Sequence, residues 1–268
     1  SAVNNYYYNS VYIGGSNVSI SSAQSSCAMS AGSSNTTARN IKNNIFWNAR
    51  SNSGAGGAAH YALRVHNTTN LASDFNDLLA DGTEGRVGLI IPATSYLTLA
   101  AWSGATSKDG ASVSYDPKFI DATGDTSTVD LHINTLVGTP VESAGTAIAG
   151  LTIDHEDDLR FGDVGYTGTG TAPDIGADEG EFIILDITPP AVSFTDLTAM
   201  CNTATSQTLS ATITDAGSGV DVGAGLKPRI YYKKTSDANA YAGNTSGDNG
   251  WKWAESSSSS SPFSFTLD

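Results

Sequence analysis

An Asn-bearing segment that recurs along the first third of the chain constrains the fold more than any other feature. Residues 4–9 (NNYYYN) match residues 43–48 (NNIFWN) at every polar and every large apolar position, and residues 73–79 (SDFNDLL) form a looser copy. Short β-type runs separated by Gly, Ser and Asn clusters lie between the copies. Such self-similarity indicates a repeat architecture in which each copy packs on the next one.

The recurring asparagines predict side-chain ladders inside a coil of parallel strands. Successive turns of a parallel β-helix stack about 4.8 Å apart, so equivalent side chains lie above one another. An inward Asn then hydrogen-bonds to the neighbouring turns and satisfies buried polar groups at the corners. The repeat alignment places Asn5 on Asn44 and Asn9 on Asn48. We interpret these four residues, together with Asn76, as ladder or turn residues rather than ligands.

The composition favours strands and turns over helices. The chain is rich in Ser, Thr and Asn and contains 28 Gly, and these residue types rank low in helix propensity. Residues 96–102 are the exception, because their pattern predicts a short amphipathic helix or a lid. No stretch approaches 18 consecutive apolar residues, so we expect no insertion into a membrane.

The charge is strongly negative and unevenly distributed. The net charge is −14, yet residues 1–70 contain no Asp or Glu. A sequence pI near 4.4 disfavours nucleic acid and anionic lipid as partners, because both require a basic surface. Few Cys, few Lys and many Ser, Thr and Asn are typical of a large extracellular protein. The chain opens within a strand-like pattern, so we expect it to be a piece of a longer protein at the cell surface.

A change of pattern after residue 185 divides the chain into two predicted domains. Pro189 and Pro190 interrupt the repeats, since neither residue can donate a ladder hydrogen bond. Residues 186–268 contain five runs of alternating apolar and polar residues, which predict strands. This pattern is typical of an immunoglobulin-like β-sandwich, a fold with about seven strands, so we expect this domain to be truncated.

Several segments in this order resemble large secreted bacterial right-handed parallel β-helix surface proteins with a pectate-lyase-like coil. The resemblance is carried by residues 43–46, 74–78, 99–102 and 112–119, and by the closing run APDIGADE at 172–179. Residues 228–234 (PRIYYKK) and 248–252 (DNGWK) resemble the immunoglobulin-like modules that follow such coils. The resemblance implies an all-β chain: the C-terminal part of a right-handed parallel β-helix over residues 1–185, then the sandwich. It also implies secretion by the type IX route.

A cluster of acidic residues offers a candidate metal site. The sequence places Asp154, Glu156, Asp157, Asp158 and Asp163 close together. Ca²⁺ prefers six to eight oxygen ligands, so one interpretation is a calcium site formed by these carboxylates. The spacing does not match the EF-hand loop. The other interpretation is a solvated acidic loop in which Arg160 pairs with an acid, and both interpretations stay open.

The sequence favours a non-catalytic surface protein of adhesin type, with no catalytic residue and no cofactor besides the calcium site. Its expected partners are a polysaccharide, another cell-surface protein, or further domains of its own longer chain. The alternative is a polysaccharide lyase, a glycoside hydrolase or a carbohydrate-binding module on the same coil. Glycoside hydrolysis requires two carboxylates about 5–9.5 Å apart, and Asp74 with Asp77 is one candidate pair. The basic residues available for an elimination are Arg39, Lys42, Arg50, Arg64 and Arg86.

Overall fold

The computed structural model describes residues 3–17, 25–32, 37–52, 57–92, 94–197, 206–215, 217 and 219–267. The chain forms two compact units, Ser1–Leu185 and Asp186–Asp268, which divide where the sequence analysis placed the domain boundary. Strands are the main regular elements of both units, and the described residues contain one helix of eight residues, so the predicted all-β class is confirmed. Among these residues, no helix is both long and apolar enough to cross a membrane.

The first unit consists of short strands and a single short helix in its described part. In chain order these are β1 (Val3–Tyr7), β2 (Ser10–Ile13), β3 (Ser16–Asn17), β4 (Ser26–Ala31), β5 (Ala38–Lys42), β6 (Ile45–Asn48), β7 (Ser51–Asn52), β8 (His60–Val65), β9 (Leu71–Asp74), β10 (Asp77–Leu79), β11 (Gly85–Ile90), β12 (Thr94–Tyr96), α1 (Leu99–Thr106), β13 (Phe119–Asp121), β14 (Asp130–Ile133), β15 (Gly138–Thr139) and β16 (Ile183–Ile184).

Three consecutive chain segments contribute strands to the same three sheets in the same order. The first sheet has the order β1-β5-β9, the second β2-β6-β10, and the third β4-β8-β11, with every one of these pairs parallel. Strand β12 adds to β11 in antiparallel orientation, and β3 pairs with β7 in parallel. Each segment therefore repeats the path of the one before it.

The corners between the first and second sheets share one conformation. At residues 8–9, 43–44 and 75–76, a residue with φ between 54° and 58° precedes an Asn. The left-handed residue turns the chain sharply, and the Asn side chain then faces its equivalents. Asn9 donates to Asn44 Oδ1 at 2.7 Å, and Asn44 donates to Asn76 Oδ1 at 2.9 Å. The predicted Asn ladder is confirmed for these three residues.

The predicted alignment of the repeat is wrong by four residues. Asn9 lies opposite Asn44, and the two are 35 positions apart along the chain. Asn48 instead donates to the carbonyl oxygen of Tyr61, and Asn5 accepts from Asn40 at the surface. The sequence match aligned the adjacent asparagines at 4–5 with those at 43–44. The fold instead aligns Asn9, Asn44 and Asn76, each of which follows a left-handed residue.

Alternation along the strands fills the interior of the three sheets with apolar side chains. In β5, the buried residues are Arg39 and Ile41, and their neighbours are half-buried. The fully or nearly fully buried apolar side chains of this core are Ala31, Ile41, Phe46, Ala62, Leu63, Val65, Leu71, Leu78, Val87 and Trp102. A short helix is present as predicted, but it is α1 at Leu99–Thr106 rather than residues 96–102, and Trp102 is its one buried residue. Its first turn is capped by Thr98, which accepts from the Ala101 amide.

Residues after α1 form a loop-rich region that packs on the second sheet. Strands β13 and β14 pair antiparallel, and β15 pairs with β16 in parallel. Ile45, Phe119, Ile133, Val141 and Ile175 form the buried apolar core here. Few residues of this region belong to strands. Side chains that accept hydrogen bonds from backbone amides hold it together, as described below.

The second unit contains five strands among its described residues, and all five were predicted. They are β17 (Ala191–Phe194), β18 (Gln207–Thr214), β19 (Arg229–Tyr232), β20 (Lys252–Glu255) and β21 (Phe263–Leu267). They form a three-stranded sheet in the order β17-β18-β21 and a two-stranded sheet of β19 and β20, all antiparallel. The buried core is Leu209, Ala211, Phe263, Phe265 and Leu267. Ile230, Tyr232 and Ala254 of the smaller sheet pack against it.

Candidate functional site

Asp154, the first residue of the acidic cluster, is buried and bonded to the backbone. Its Oδ1 accepts from the amides of Glu156 at 2.8 Å and Asp158 at 3.0 Å. Its Oδ2 accepts from the amide of Glu179 at 3.0 Å. We call residues 154–163 the acidic loop and residues 172–182 the closing segment. Asp154 thus shapes the acidic loop and connects it to the closing segment.

Arg160 forms the ion pair that the sequence analysis predicted, and its partner is Glu179. Nη1 of Arg160 lies 3.0 Å from Oε2 of Glu179, and both side chains are almost completely buried. The guanidinium also donates to the carbonyl of Ala177 and stacks on the ring of Tyr8 at 3.7 Å from its centroid. Burial raises the pKa of Glu179, while Arg160 and two backbone amides act in the opposite direction.

Three further carboxylates of this region also bind backbone amides. Asp174 accepts from the amides of Ser143 and Gly180, and its burial raises its pKa to about 8. Glu142 accepts from the amide of Phe182. In the same way, Asp178 accepts from the amide of Ile133. Because this region contains few strands, these carboxylates accept the backbone hydrogen bonds that a sheet would otherwise satisfy. Their role here is structural.

The remaining acids of the predicted calcium site point in different directions. Asp157 and Asp158 are exposed and border an open groove beside the closing segment, and Asp163 is half-buried near Arg160. Glu156 faces a different group of side chains. The calcium site stays a prediction, and of its five residues Glu156 alone belongs to a convergent group of metal-binding atoms in the described part.

That convergent group consists of His132, His155 and Glu156. One ligand atom from each lies within 4.8 Å of the other two. Nε2 of His132 is 3.3 Å from Oε2 of Glu156, but the contact does not have hydrogen-bond geometry, and this nitrogen is buried without a hydrogen-bond partner among the described residues. The imidazole rings of His132 and His155 lie 5.5 Å apart.

Two further contacts orient the imidazoles of this group. Nδ1 of His132 lies 2.5 Å from Oδ1 of Asp130, and Nδ1 of His155 lies 3.3 Å from the carbonyl oxygen of Ala177. The pKa of His132 is raised, chiefly by its hydrogen bond with Asp130. Neither histidine was predicted as a ligand, although the runs Asp-x-His at 130–132 and His-Glu at 155–156 were the available signal.

The candidate carboxylate pair for glycoside hydrolysis is not open to a substrate. Asp77 is fully buried, and its Oδ1 accepts from the amide of Tyr115. Asp74 accepts from the amides of Phe75 and Ala111. A buried acid cannot reach a glycosidic bond, so the structure contradicts this pairing.

Two of the basic residues considered for an elimination reaction have partners outside the acidic loop. Arg39 is buried and donates to the carbonyl oxygens of Asn67 and Thr69. Arg86 pairs with Glu84 at 3.3 Å on the surface. Neither arginine contacts the acidic loop in the described structure.

The smaller sheet of the second unit presents aromatic residues to solvent. Tyr231 and Trp253 are directly opposite in the antiparallel register, and Trp251 lies two positions before Trp253. Tyr241 forms a bridge with Trp251. Arg229 lies over the ring of Trp253 at 4.3 Å. We call Tyr231, Tyr241, Trp251 and Trp253 the aromatic face.

Comparison with known proteins gives no relative from which a function follows. No protein-family model, no curated protein and no solved structure matches the chain.

Proposed function

We propose that the chain is a non-catalytic structural protein of the cell surface, in which a right-handed parallel β-helix and an immunoglobulin-like sandwich present surfaces for adhesion to glycans. The observation that carries this proposal is the path of the first unit, where consecutive segments return to the same three sheets in the same order. Repeated parallel pairing satisfies the backbone between neighbouring segments and makes such a unit stiff.

The use of the buried carboxylates supports a structural role over a catalytic one. Asp154, Asp174, Asp178 and Glu179 each accept hydrogen bonds from backbone amides. Carboxylates engaged in this way define the positions of loops. A glycosidase requires two acids that flank a substrate, and the pair that the sequence suggested includes the buried Asp77.

The aromatic face supports contact with glycans. Tyr231 and Tyr241 are each 62% exposed and Trp251 is 38% exposed, which is a large apolar area to leave in water. An aromatic ring offers an apolar face that suits the C–H face of a sugar, and its polar atoms bond to hydroxyl groups. Lys233, whose Nζ lies 5.9 Å from the Trp251 ring centre, places a cation beside this face. Its charge favours acidic glycans in a chain that is otherwise strongly acidic.

Incubation with polysaccharides tests both parts of the proposal. We expect no reducing ends and no unsaturated uronate products from neutral or uronate-containing polysaccharides, with or without Ca²⁺. We expect retention of the chain on an immobilised acidic polysaccharide, and loss of retention in Tyr231→Ala and Trp251→Ala. The matched control is Tyr115→Ala, which removes an exposed tyrosine of the first unit. Product formation would establish the enzyme alternative. Equal retention of Tyr231→Ala, Trp251→Ala and Tyr115→Ala would show that the aromatic face does not bind the polysaccharide.

A further inference from the structure

We propose that His132, His155 and Glu156 form a binding site for a divalent transition-metal ion of the Zn²⁺ type. The ligand atoms of these side chains lie within 4.8 Å of one another. Two of them, Nε2 of His132 and Oε2 of Glu156, are already 3.3 Å apart. Zn–N and Zn–O bonds are about 2.0–2.2 Å long, so two ligands of a tetrahedral Zn²⁺ are separated by about 3.3 Å.

The donor atoms select the class of metal. Two imidazole nitrogens and one carboxylate suit Zn²⁺ and its neighbours in the transition series, whereas Ca²⁺ and Mg²⁺ require a shell of oxygens. The site is therefore different from the predicted calcium site. It shares Glu156 with that prediction, but it takes its other ligands from β14 and from His155 rather than from neighbouring aspartates.

The contacts behind the two imidazoles prepare them for a metal. A ring nitrogen that donates its proton to a carboxylate or a carbonyl leaves the other nitrogen with a free lone pair. Asp130 accepts from Nδ1 of His132, and the carbonyl of Ala177 accepts from Nδ1 of His155. Nε2 of each ring is then the nitrogen available to the ion. The buried Nε2 of His132, which has no hydrogen-bond partner among the described residues, gains one on binding.

The site is accessible and needs little rearrangement to close on an ion. His155 and Glu156 are exposed, and His132 is half-buried, so rotation of surface side chains brings the three ligands to bonding distance. Their backbone positions are fixed by the buried loop contacts of Asp154 and by Asp178, which accepts from the amide next to His132. Three protein ligands leave a tetrahedral ion with one position for water or an outside donor.

Calorimetric titration of the whole chain with Zn²⁺, after dialysis against a chelator, tests the site. We expect one ion per chain, and we expect His155→Ala and Glu156→Gln to weaken binding more than about 100-fold. Asp130→Ala should weaken it by about 10- to 100-fold, because it removes the acceptor that orients the His132 ring without removing a ligand. His66→Ala and Asp163→Asn are the matched controls, since they remove an exposed imidazole and a carboxylate of the acidic cluster without touching the three ligands.

A spectroscopic measurement separates this site from unspecific binding. Co²⁺ bound by two imidazoles and a carboxylate should give visible absorption bands of four- or five-coordinate geometry, and these should vanish in His132→Ala. Far-ultraviolet circular dichroism of each variant shows whether it has folded, and His155→Ala changes only an exposed side chain. The proposal is overturned if the chain binds no Zn²⁺, if His155→Ala and Glu156→Gln bind it as tightly as the parent, or if the Asp163→Asn control alone loses binding.

Discussion

Arg160 and Glu179 form an ion pair 3.0 Å long whose side chains are only 3% and 2% exposed. Glu179 also accepts from the amides of Phe161 and Asp174, so one carboxylate joins the acidic loop to the closing segment. In water such a pair contributes little, but removing one partner from a buried pair leaves an uncompensated charge in a poorly solvated place.

Glu179→Gln should therefore destabilise the first unit by about 3–5 kcal/mol. The amide keeps the shape of the side chain but leaves the Arg160 guanidinium without a counter-charge. Urea unfolding followed by tryptophan fluorescence measures the loss. Arg160→Met in the same background should recover part of it, because the double variant holds no unpaired charge. Glu84→Gln is the control, since the Glu84–Arg86 pair is exposed and should contribute less than about 1 kcal/mol. If Glu179→Gln and Glu84→Gln lower the free energy of unfolding by the same amount, the prediction is wrong.

Asn44→Ala should cost about 2–4 kcal/mol of unfolding free energy. Asn44 is the middle member of the ladder, and its side chain bonds to Asn9, Asn76 and the carbonyl of Tyr6. Truncation leaves several buried groups without partners, each at about 1–3 kcal/mol with partial relief from water. Asn40→Ala, which among the described residues breaks the exposed contact with Asn5, should change stability by less than about 0.5 kcal/mol. Equal losses of unfolding free energy in Asn44→Ala and Asn40→Ala would show that the ladder does not stabilise the fold.

Two glycines near α1 should respond to the same substitution with opposite signs. A Cβ at Gly88 would overlap the six-membered ring of Trp102, which is fully buried against it, so Gly88→Ala should cost about 1–3 kcal/mol. A Cβ at Gly104, inside α1, has no contact within 4 Å among the described residues outside the backbone of the helix itself. Gly104→Ala should therefore raise stability by roughly 0.4–1 kcal/mol. Thermal unfolding measures both changes, and a loss of stability in Gly104→Ala would refute the second.

Asp77 should make the first unit less stable as the pH rises. Its burial raises its pKa from 3.8 to about 8, and the charge of Asp116 acts in the same direction. Between these two pH values the folded chain keeps a proton that the unfolded chain has lost, so stability falls with increasing pH across this window. The full penalty, on the order of a few kcal/mol, is present above pH 8 and absent below pH 4.

Asp77→Asn isolates this effect, because the amide can still accept from the Tyr115 amide. The free energy of unfolding of the variant, relative to the parent, should grow steadily from pH 4 to pH 8. Asp174 titrates in the same window but is common to both proteins and cancels in the difference. A difference that is constant with pH would show that Asp77 does not titrate as stated.

The strands and the short helix were predictable because their signals are local. Alternation identified all five strands of the second unit, and the pattern around Trp102 identified α1. The register of the repeat was not predictable in the same way. Asn43 and Asn44 are adjacent, and only the backbone shows that Asn43 takes the left-handed conformation while Asn44 joins the ladder.

The candidate site was predictable only in part, for a similar reason. The acidic cluster drew attention to Glu156, and Arg160 was correctly expected to pair with an acid. His132 and His155 come from a strand and a loop whose proximity depends on long-range contacts. Asp178 accepts from the amide of Ile133, next to His132, and His155 bonds to the carbonyl of Ala177, so the closing segment holds the two histidines together. The spacing of His132 and His155 along the sequence does not indicate that they lie close together.

In the first, second and third sheets, the last parallel strands are β9, β10 and β11, and later chain hydrogen-bonds to each of them. β12 runs antiparallel along β11, the amide of Asp109 bonds to the carbonyl of Ser73 in β9, and the segment around Val113 bonds to Leu78 in β10. Unprotected sheet edges recruit strands from other molecules. These three segments occupy hydrogen-bonding groups at this end of the sheets, so we expect this face to be less able to pair with strands of another molecule.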